Sequence, residues 1–403
     1  MLKVFQHRGT PFFTIYLATF LFALHIALPL YINSSFLGQF LSEKGIGFVF
    51  AASSILTLFL LAKFPEILSR LGNYHVVLLV FATQMTFLAL LASPLPAPFL
   101  ILTFIFMQAF TTLGLFNLDV FLEKFSDDKT TGIVRGIMLT TLNLAILLGP
   151  LITGIILSDN EFWKIYLISA IFLVPALFVI SRRLKRFKDP KYTKIPYFKT
   201  LREVLTARHP NDEIRHAITA SLMLRFFFSW MVIYTPIYLY NYVGFTWNEI
   251  GVILAVMLLP FVLFEIPIGW LVDTRLGEKQ IMLAGFFIMS FFTAVLFFVE
   301  NQSLVIWAAL LFGTRIGASF VEITSESYFF KHINSTETHL LSIFRDSRPV
   351  AYILGPLVAS VLLMFTDIQH LFLILAIILF YGIWNAFRMS PVRGKNAASP
   401  RGL

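Results

Sequence analysis

The residues of this chain that could do chemistry are ionisable or hydrogen-bonding side chains set inside apolar runs. Arg315 is followed by Ser319, Glu322 and Glu326 at i+4, i+7 and i+11, which puts all four on one stripe of one helix. Arg225 stands in a second apolar run, Gln108 and Asp119 in a third, and His25 in a fourth. A charge facing hydrocarbon costs a few kcal/mol or more, so these side chains must face protein or water. A guanidinium so placed can bind an anionic or polar group of a solute, and Gln108 and His25 can hydrogen-bond one. Glu322, Glu326 and Asp119 can carry a proton or close a gate. Each assignment has a structural counterpart: Arg315 could pair with an acid one or two turns away, Arg225 with a neighbouring helix, and His25 could be a hydrogen-bonded helix contact. Arg345 and Arg348, about 6 and 11 Å into their span, can snorkel or pair with Glu322, Glu326 or Asp346. Arg315 is the leading substrate candidate, because it lies about 20 Å into its span and so near mid-membrane. The chain has no Walker A sequence and no HExxH, and it lacks a Gly-rich dinucleotide turn. His332 and His339 have no carboxylate partner at metal-ligand spacing. The sequence therefore predicts no enzyme, no cofactor and no metal site.

The elements that must position these groups are membrane spans. Of 403 residues, 58% are hydrophobic and only 13% are charged, roughly half the charge of a soluble domain. An all-α polytopic membrane protein is predicted, with twelve transmembrane helices near 11–31, 45–62, 75–93, 97–122, 135–157, 161–181, 216–241, 249–272, 280–299, 302–329, 341–365 and 370–388. The first span is too long for a signal h-region and is retained as a helix. There is no cysteine. The net charge of +9 does not indicate nucleic acid, since the basic residues lie in loops and near span ends, where anionic lipid and the insertion machinery read them.

The one long polar interval, 182–215, holds eleven Lys or Arg and separates two apolar blocks. The expected organisation is a six-helix bundle over 1–181, a basic cytoplasmic linker over 182–215, a second six-helix bundle over 216–388 and a cytoplasmic tail over 389–403. Phe198, Leu201, Val204 and Leu205 in the linker fit either a short surface helix or a solvated tether. With both termini cytoplasmic, 25 Lys or Arg fall in inner segments and two, Lys44 and Lys164, in outer loops, which sets the orientation. The two halves echo each other. LGPL at Leu148–Leu151, with Gly149 and Pro150, returns at Leu354–Leu357, with Gly355 and Pro356. SRLG at Ser69–Gly72 returns as DTRLG at Asp273–Gly277 with one extra residue. An internal duplication follows. The third, sixth, ninth and twelfth spans are nearly free of charge and are predicted to face lipid. The first, fourth, seventh and tenth carry the polar groups and are predicted to line a central cavity.

At this point the chain resembles the major facilitator superfamily over about residues 11–388. That resemblance implies two pseudo-symmetric six-helix bundles, a central substrate cavity lined by those four spans, and alternating access. GWLVD at Gly269–Asp273, followed by Arg275 and Gly277, is similar to the family's loop motif with one residue too many. The first-half copy has Pro65 and Ser69 in place of its Gly and Asp. The resemblance implies that Asp273 meets the start of the fifth span near Arg135 when the cytoplasmic side is closed. AILLGPLITG at Ala145–Gly154 resembles a motif of the family's antiporters, while its recurrence in the eleventh span points equally to shared architecture. Ile105, where exporters of the family have an Arg before a Gln-Gly pair (here Gln108 and Ala109), counts against export of that kind. The function expected is secondary active transport of a small organic solute by a monomer in the plasma (inner) membrane. Protons would be the coupling ion, lipid the surroundings and efflux one direction. The alternatives are a nontransporting receptor or scaffold on the same fold, and an uptake carrier for an organic anion.

Overall fold

The computed structural model of the chain describes residues 2–125, 131–190, 212–332 and 338–390. It is all helical among them. The spanning helices are α1 Leu2–Leu30, α2 Glu43–Leu71, α3 Asn73–Leu91, α4 Ala97–Phe125, α5 Thr131–Ile156, α6 Phe162–Arg183, α7 Asp212–Tyr238, α8 Trp247–Leu271, α9 Gly277–Phe297, α10 Leu304–His332, α11 Thr338–Leu362 and α12 His370–Arg388. Every predicted span coincides with one of these helices, displaced by a few residues at most except at the amino end of α1 and the carboxyl end of α2. Ten continuous helical stretches among the described residues are long and apolar enough to cross a membrane, and one of them, Trp247–Phe297, contains both α8 and α9. Residues 191–211 of the basic linker and the tail from 391 lie outside the described residues, as do the side chains of Arg135, Asp273, Arg345 and Asp346. The expected linker helix and the Asp273–Arg135 contact are therefore not addressed by the structure.

Two bundles form. In the first, α1 packs on α4, α5 and α6, and α3 on α4 and α6. In the second, α7 packs on α10, α11 and α12, and α9 on α10 and α12. The halves meet along two seams, α2 with α11 and α5 with α8. Large apolar side chains on α6 (Leu167, Ile171, Phe178), α9 (Phe287, Phe291) and α12 (Ile377, Phe380, Phe387) are exposed, as expected of surfaces that face acyl chains. With nothing apolar to gain by leaving lipid, helices associate through close packing and internal hydrogen bonds.

The repeated loop shows how the extra residue of the second half is accommodated. After α2, Gly72 turns the chain with φ 76°. After α8, residues Val272–Leu276 form a π-turn, and Gly277 then turns the chain with φ 73°. A π-turn absorbs one residue without breaking the helix, so the same positive-φ glycine starts α3 and α9.

The LGPL repeat acts twice in the same way. A Cβ on Gly149 would lie 2.6 Å from Ala27 of α1, and one on Gly355 would collide with Ser229 of α7. Each glycine therefore lets its helix press on the first helix of its own half. The adjacent proline carbonyl faces the other half: Pro150 O would be 2.6 Å from a Cβ on Gly251 of α8, and Pro356 O 2.7 Å from a Cβ on Gly47 of α2. Small residues allow this approach of one helix backbone to another.

Candidate functional site

Arg315 sits on α10 and is 1% exposed. None of its three guanidinium nitrogens makes a hydrogen bond of good geometry among the described residues. The rings of Phe227 and Phe228 on α7 lie 5.0 and 5.1 Å from its guanidinium carbon, distances at which an aromatic face attracts a cation. The phenols of Tyr31 and Tyr352 and the carboxylate of Glu322 act on its charge, and the Tyr31 hydroxyl comes close enough to act as a weak, poorly aligned acceptor. Tyr31 follows α1, so groups from both halves converge on this guanidinium.

Two turns along α10 the arrangement changes. Glu322 does not pair with Arg315. It accepts from Arg225 of α7 at 3.0 Å, and Glu326 lies 4.0 Å from the same guanidinium. The ion-pair alternative for Arg225 is what the structure shows, and that for Arg315 is not. The third carboxylate of the group is Glu265 on α8, which feels both Glu322 and Glu326 and accepts from the Asn143 amide of α5 at 3.4 Å, a contact between the halves. Side-chain exposure rises down the stripe, from Arg315 to Glu322 at 22% and Glu326 at 40%. The stripe therefore opens toward the end of the molecule that carries the chain termini.

The opposite end is closed. There Tyr242 donates to Glu43 at 2.7 Å, Tyr240 to Asn160 at 3.0 Å, and Ser360 to the Lys44 carbonyl at 2.8 Å, each between halves. Phe162 and Trp247 stack edge to face across the α5–α8 seam, 5.7 Å apart. The two LGPL crossings belong to the same closure. Gly149, Pro150, Gly355 and Pro356 are thus packing elements of the seams.

Other predicted site residues are not brought to Arg315. His25 is 1% exposed inside the first bundle. Its Nδ1 is bound to the Phe22 carbonyl, its Nε2 lies 3.3 Å from Gln84 of α3, and Gln84 in turn donates to Thr111 of α4 at 2.7 Å. That polar chain ties α1, α3 and α4 together, and His25 is a helix contact. Gln108 is half-buried, without a hydrogen-bond partner among the described residues, and Asp119 is half-buried near the terminal end of α4. Arg275 is exposed over the Trp270 ring at 5.5 Å, and Arg348 over Tyr352 at 5.9 Å. Sequence reasoning missed Glu265, Asn143, Tyr31 and the two phenylalanines. Glu265 carried a readable signal, a lone carboxylate within an apolar run, by the same cost argument that selected Arg315.

The model of the Major Facilitator Superfamily matches residues 12–252 and 217–403, and the chain belongs to that family of transporters. It is not an enzyme. Among solved structures it is similar to the nucleoside transporter NupG, with a TM-score of 0.73 and 12% identity, covering 94% of this chain and 100% of that one. A bacterial homologue of the human lysosomal transporter Spinster, captured inward-facing and unoccupied, gives a TM-score of 0.69 at 12% identity, covering 95% and 96%. The human organic anion transporter MFSD10 gives 0.66 at 12%, covering 94% and 99%. No curated relative matches the sequence.

Proposed function

We propose that this protein is a secondary active carrier of small organic anions, working by alternating access, with Arg315 as the receptor for the anionic group. One observation carries the reading: a guanidinium 1% exposed, with no carboxylate paired to it and no hydrogen bond of good geometry to its three nitrogens among the described residues, beside an arginine that does have carboxylate partners. Leaving a buried charge unpaired is costly, and an anionic ligand would relieve it. Phe227 and Phe228 cover the guanidinium, which favours a carboxylate bound edge-on to its planar donors and suits an aromatic body on the ligand. The organic-anion description of one structural neighbour is in keeping with this. With the termini cytoplasmic, as the basic residues suggest, the closed end is outer and the structure corresponds to the inward-facing state. Exchange of that state for its opposite would part the α2–α11 and α5–α8 seams and shut the end near the termini.

The test is ligand stabilisation of the purified protein by hippurate, a singly charged aromatic carboxylate, against its uncharged amide and against benzylamine. Stabilisation by hippurate alone, lost in Arg315→Ala and in Arg315→Lys, supports the proposal. Equal stabilisation of Arg315→Ala contradicts it.

A further inference from the structure

We infer that the outer face of α12 holds one anionic phospholipid, its headgroup seated between Lys279 and Arg388 at the end of the molecule that carries the chain termini. Lys279 stands in the first turn of α9 and Arg388 is the last residue of α12. The Lys279 Nζ lies 5.3 Å from the centre of the Phe387 ring, and the Arg388 guanidinium carbon lies 3.9 Å from that of Trp384. Phe387 and Trp384 are three residues apart and so neighbours on one helix face. The four side chains therefore form a row across the last turns of α12, two rings with a cation at either end. Neither cation has a carboxylate partner among the described residues. Glu278, beside Lys279, is 2% exposed and is taken up by α10, accepting from Ser327 at 2.9 Å and Lys331 at 2.5 Å. Beyond the row, Phe380 and Ile377 continue the face of Phe387 and Trp384, and all four are exposed.

Length and charge together select the occupant. From Phe387 to Ile377 the apolar stripe runs about 15 Å, which is one leaflet of a hydrocarbon core about 30 Å thick. An acyl chain fits that stripe, and its phosphate then falls at the level of the two cations. Arg388 can hold a phosphodiester through two parallel N–H donors and Lys279 as a point charge. A zwitterionic headgroup would bring its own ammonium beside two unpaired cations, so a net negative headgroup is preferred. The first bundle lacks the arrangement. Counted from the positive-φ glycines Gly72 and Gly277, the residue matching Lys279 is Tyr74, whose hydroxyl donates to the Ser181 carbonyl at 3.0 Å and ties α3 to α6. The site thus belongs to the second bundle and is more than a general excess of basic residues at one membrane face. It is also separate from the solute reading, since α12 takes part in neither of the seams α2–α11 and α5–α8.

Native mass spectrometry of the full-length protein in detergent, titrated with dioleoylphosphatidylglycerol or with dioleoylphosphatidylcholine, measures the affinity for the first lipid bound. The native protein should prefer phosphatidylglycerol. Each basic residue near an anionic headgroup contributes about fivefold, so Lys279→Gln and Arg388→Gln should each weaken the first phosphatidylglycerol about fivefold, while Lys279→Arg keeps it. Lys279→Tyr, which installs the residue that the first half has there, reads the same loss should Arg388→Gln fail to fold. Arg182→Gln removes a cation that also lies over a ring, Phe178 at 5.4 Å on α6, and should leave the first phosphatidylglycerol unchanged. Glycerol 3-phosphate, the headgroup chemistry without acyl chains, should not displace the lipid at equal concentration. Equal affinity for the two lipids overturns the inference, and so does a loss in Arg182→Gln as large as in Lys279→Gln. Displacement by glycerol 3-phosphate also overturns it, because an anion from solution would then suffice.

Discussion

Replacing Arg315 by alanine separates a binding arginine from a structural one, because the two predict opposite effects on the unliganded protein. The guanidinium has no paired carboxylate and no hydrogen bond of good geometry among the described residues, and it is 1% exposed. Its removal relieves a desolvation penalty of several kcal/mol. What is lost is the attraction of Phe227 and Phe228, about 1 kcal/mol each and up to about 2 when desolvated. Arg315→Ala should thus match or exceed the native protein in apparent melting temperature without ligand. Binding should suffer instead. Loss of a charge-assisted hydrogen bond, about 1.5 to 3 kcal/mol, weakens hippurate about ten- to hundredfold. At a hippurate concentration near one hundred times the native dissociation constant, native stabilisation of about 2.7 kcal/mol should fall to about 0.4 to 1.4. Thermal unfolding of the purified protein with and without hippurate reads both quantities. A loss of about 3 kcal/mol or more in the unliganded variant, with the ligand shift unchanged, would refute the reasoning.

Arg225→Ala strands Glu322 and Glu326 and is expected to destabilise the protein by about 3 kcal/mol or more, partly restored by adding Glu322→Gln. The same unfolding assay reads this, and a neutral Arg225→Ala would contradict the pairing. Gly251→Leu places a branched side chain where even a Cβ would be 2.6 Å from the Pro150 carbonyl. It should shift the population toward separation at the end away from the termini, read as faster labelling of a cysteine introduced at Tyr31. Unchanged labelling there would mean that the glycine contact does not hold the seam. Cysteines introduced between residues 182 and 215 should resist impermeant reagents outside intact cells, and since the chain has no native cysteine any labelling would reverse the topology.

Much of the scaffold was readable because its causes are local. Apolar run length located the twelve helices, and the absence of charge marked α9 and α12 as outward-facing. The LGPL echo pointed to matched roles, which the structure shows as two crossings, Pro150 on Gly251 and Pro356 on Gly47. The site was less readable because its pairings are long-range. Spacing put Arg315 and Glu322 on one stripe, but only the approach of α7 decides that Glu322 holds Arg225. His25 looked like a cavity group because depth alone does not show rotation about the helix axis. The Gln84–Thr111 bond, between two other helices, is what encloses it. The extra residue after α8 looked like a defect in a motif until the π-turn showed where it goes.

The central claim is carriage of an organic anion through Arg315, and counterflow tests it without reference to the coupling ion. Proteoliposomes preloaded with unlabelled hippurate are diluted into labelled hippurate, and internal label is followed in time. The native protein should show a transient accumulation of label that Arg315→Ala, equally well inserted, does not show. Equal counterflow by that variant, or native counterflow no greater than in protein-free liposomes, would contradict the account.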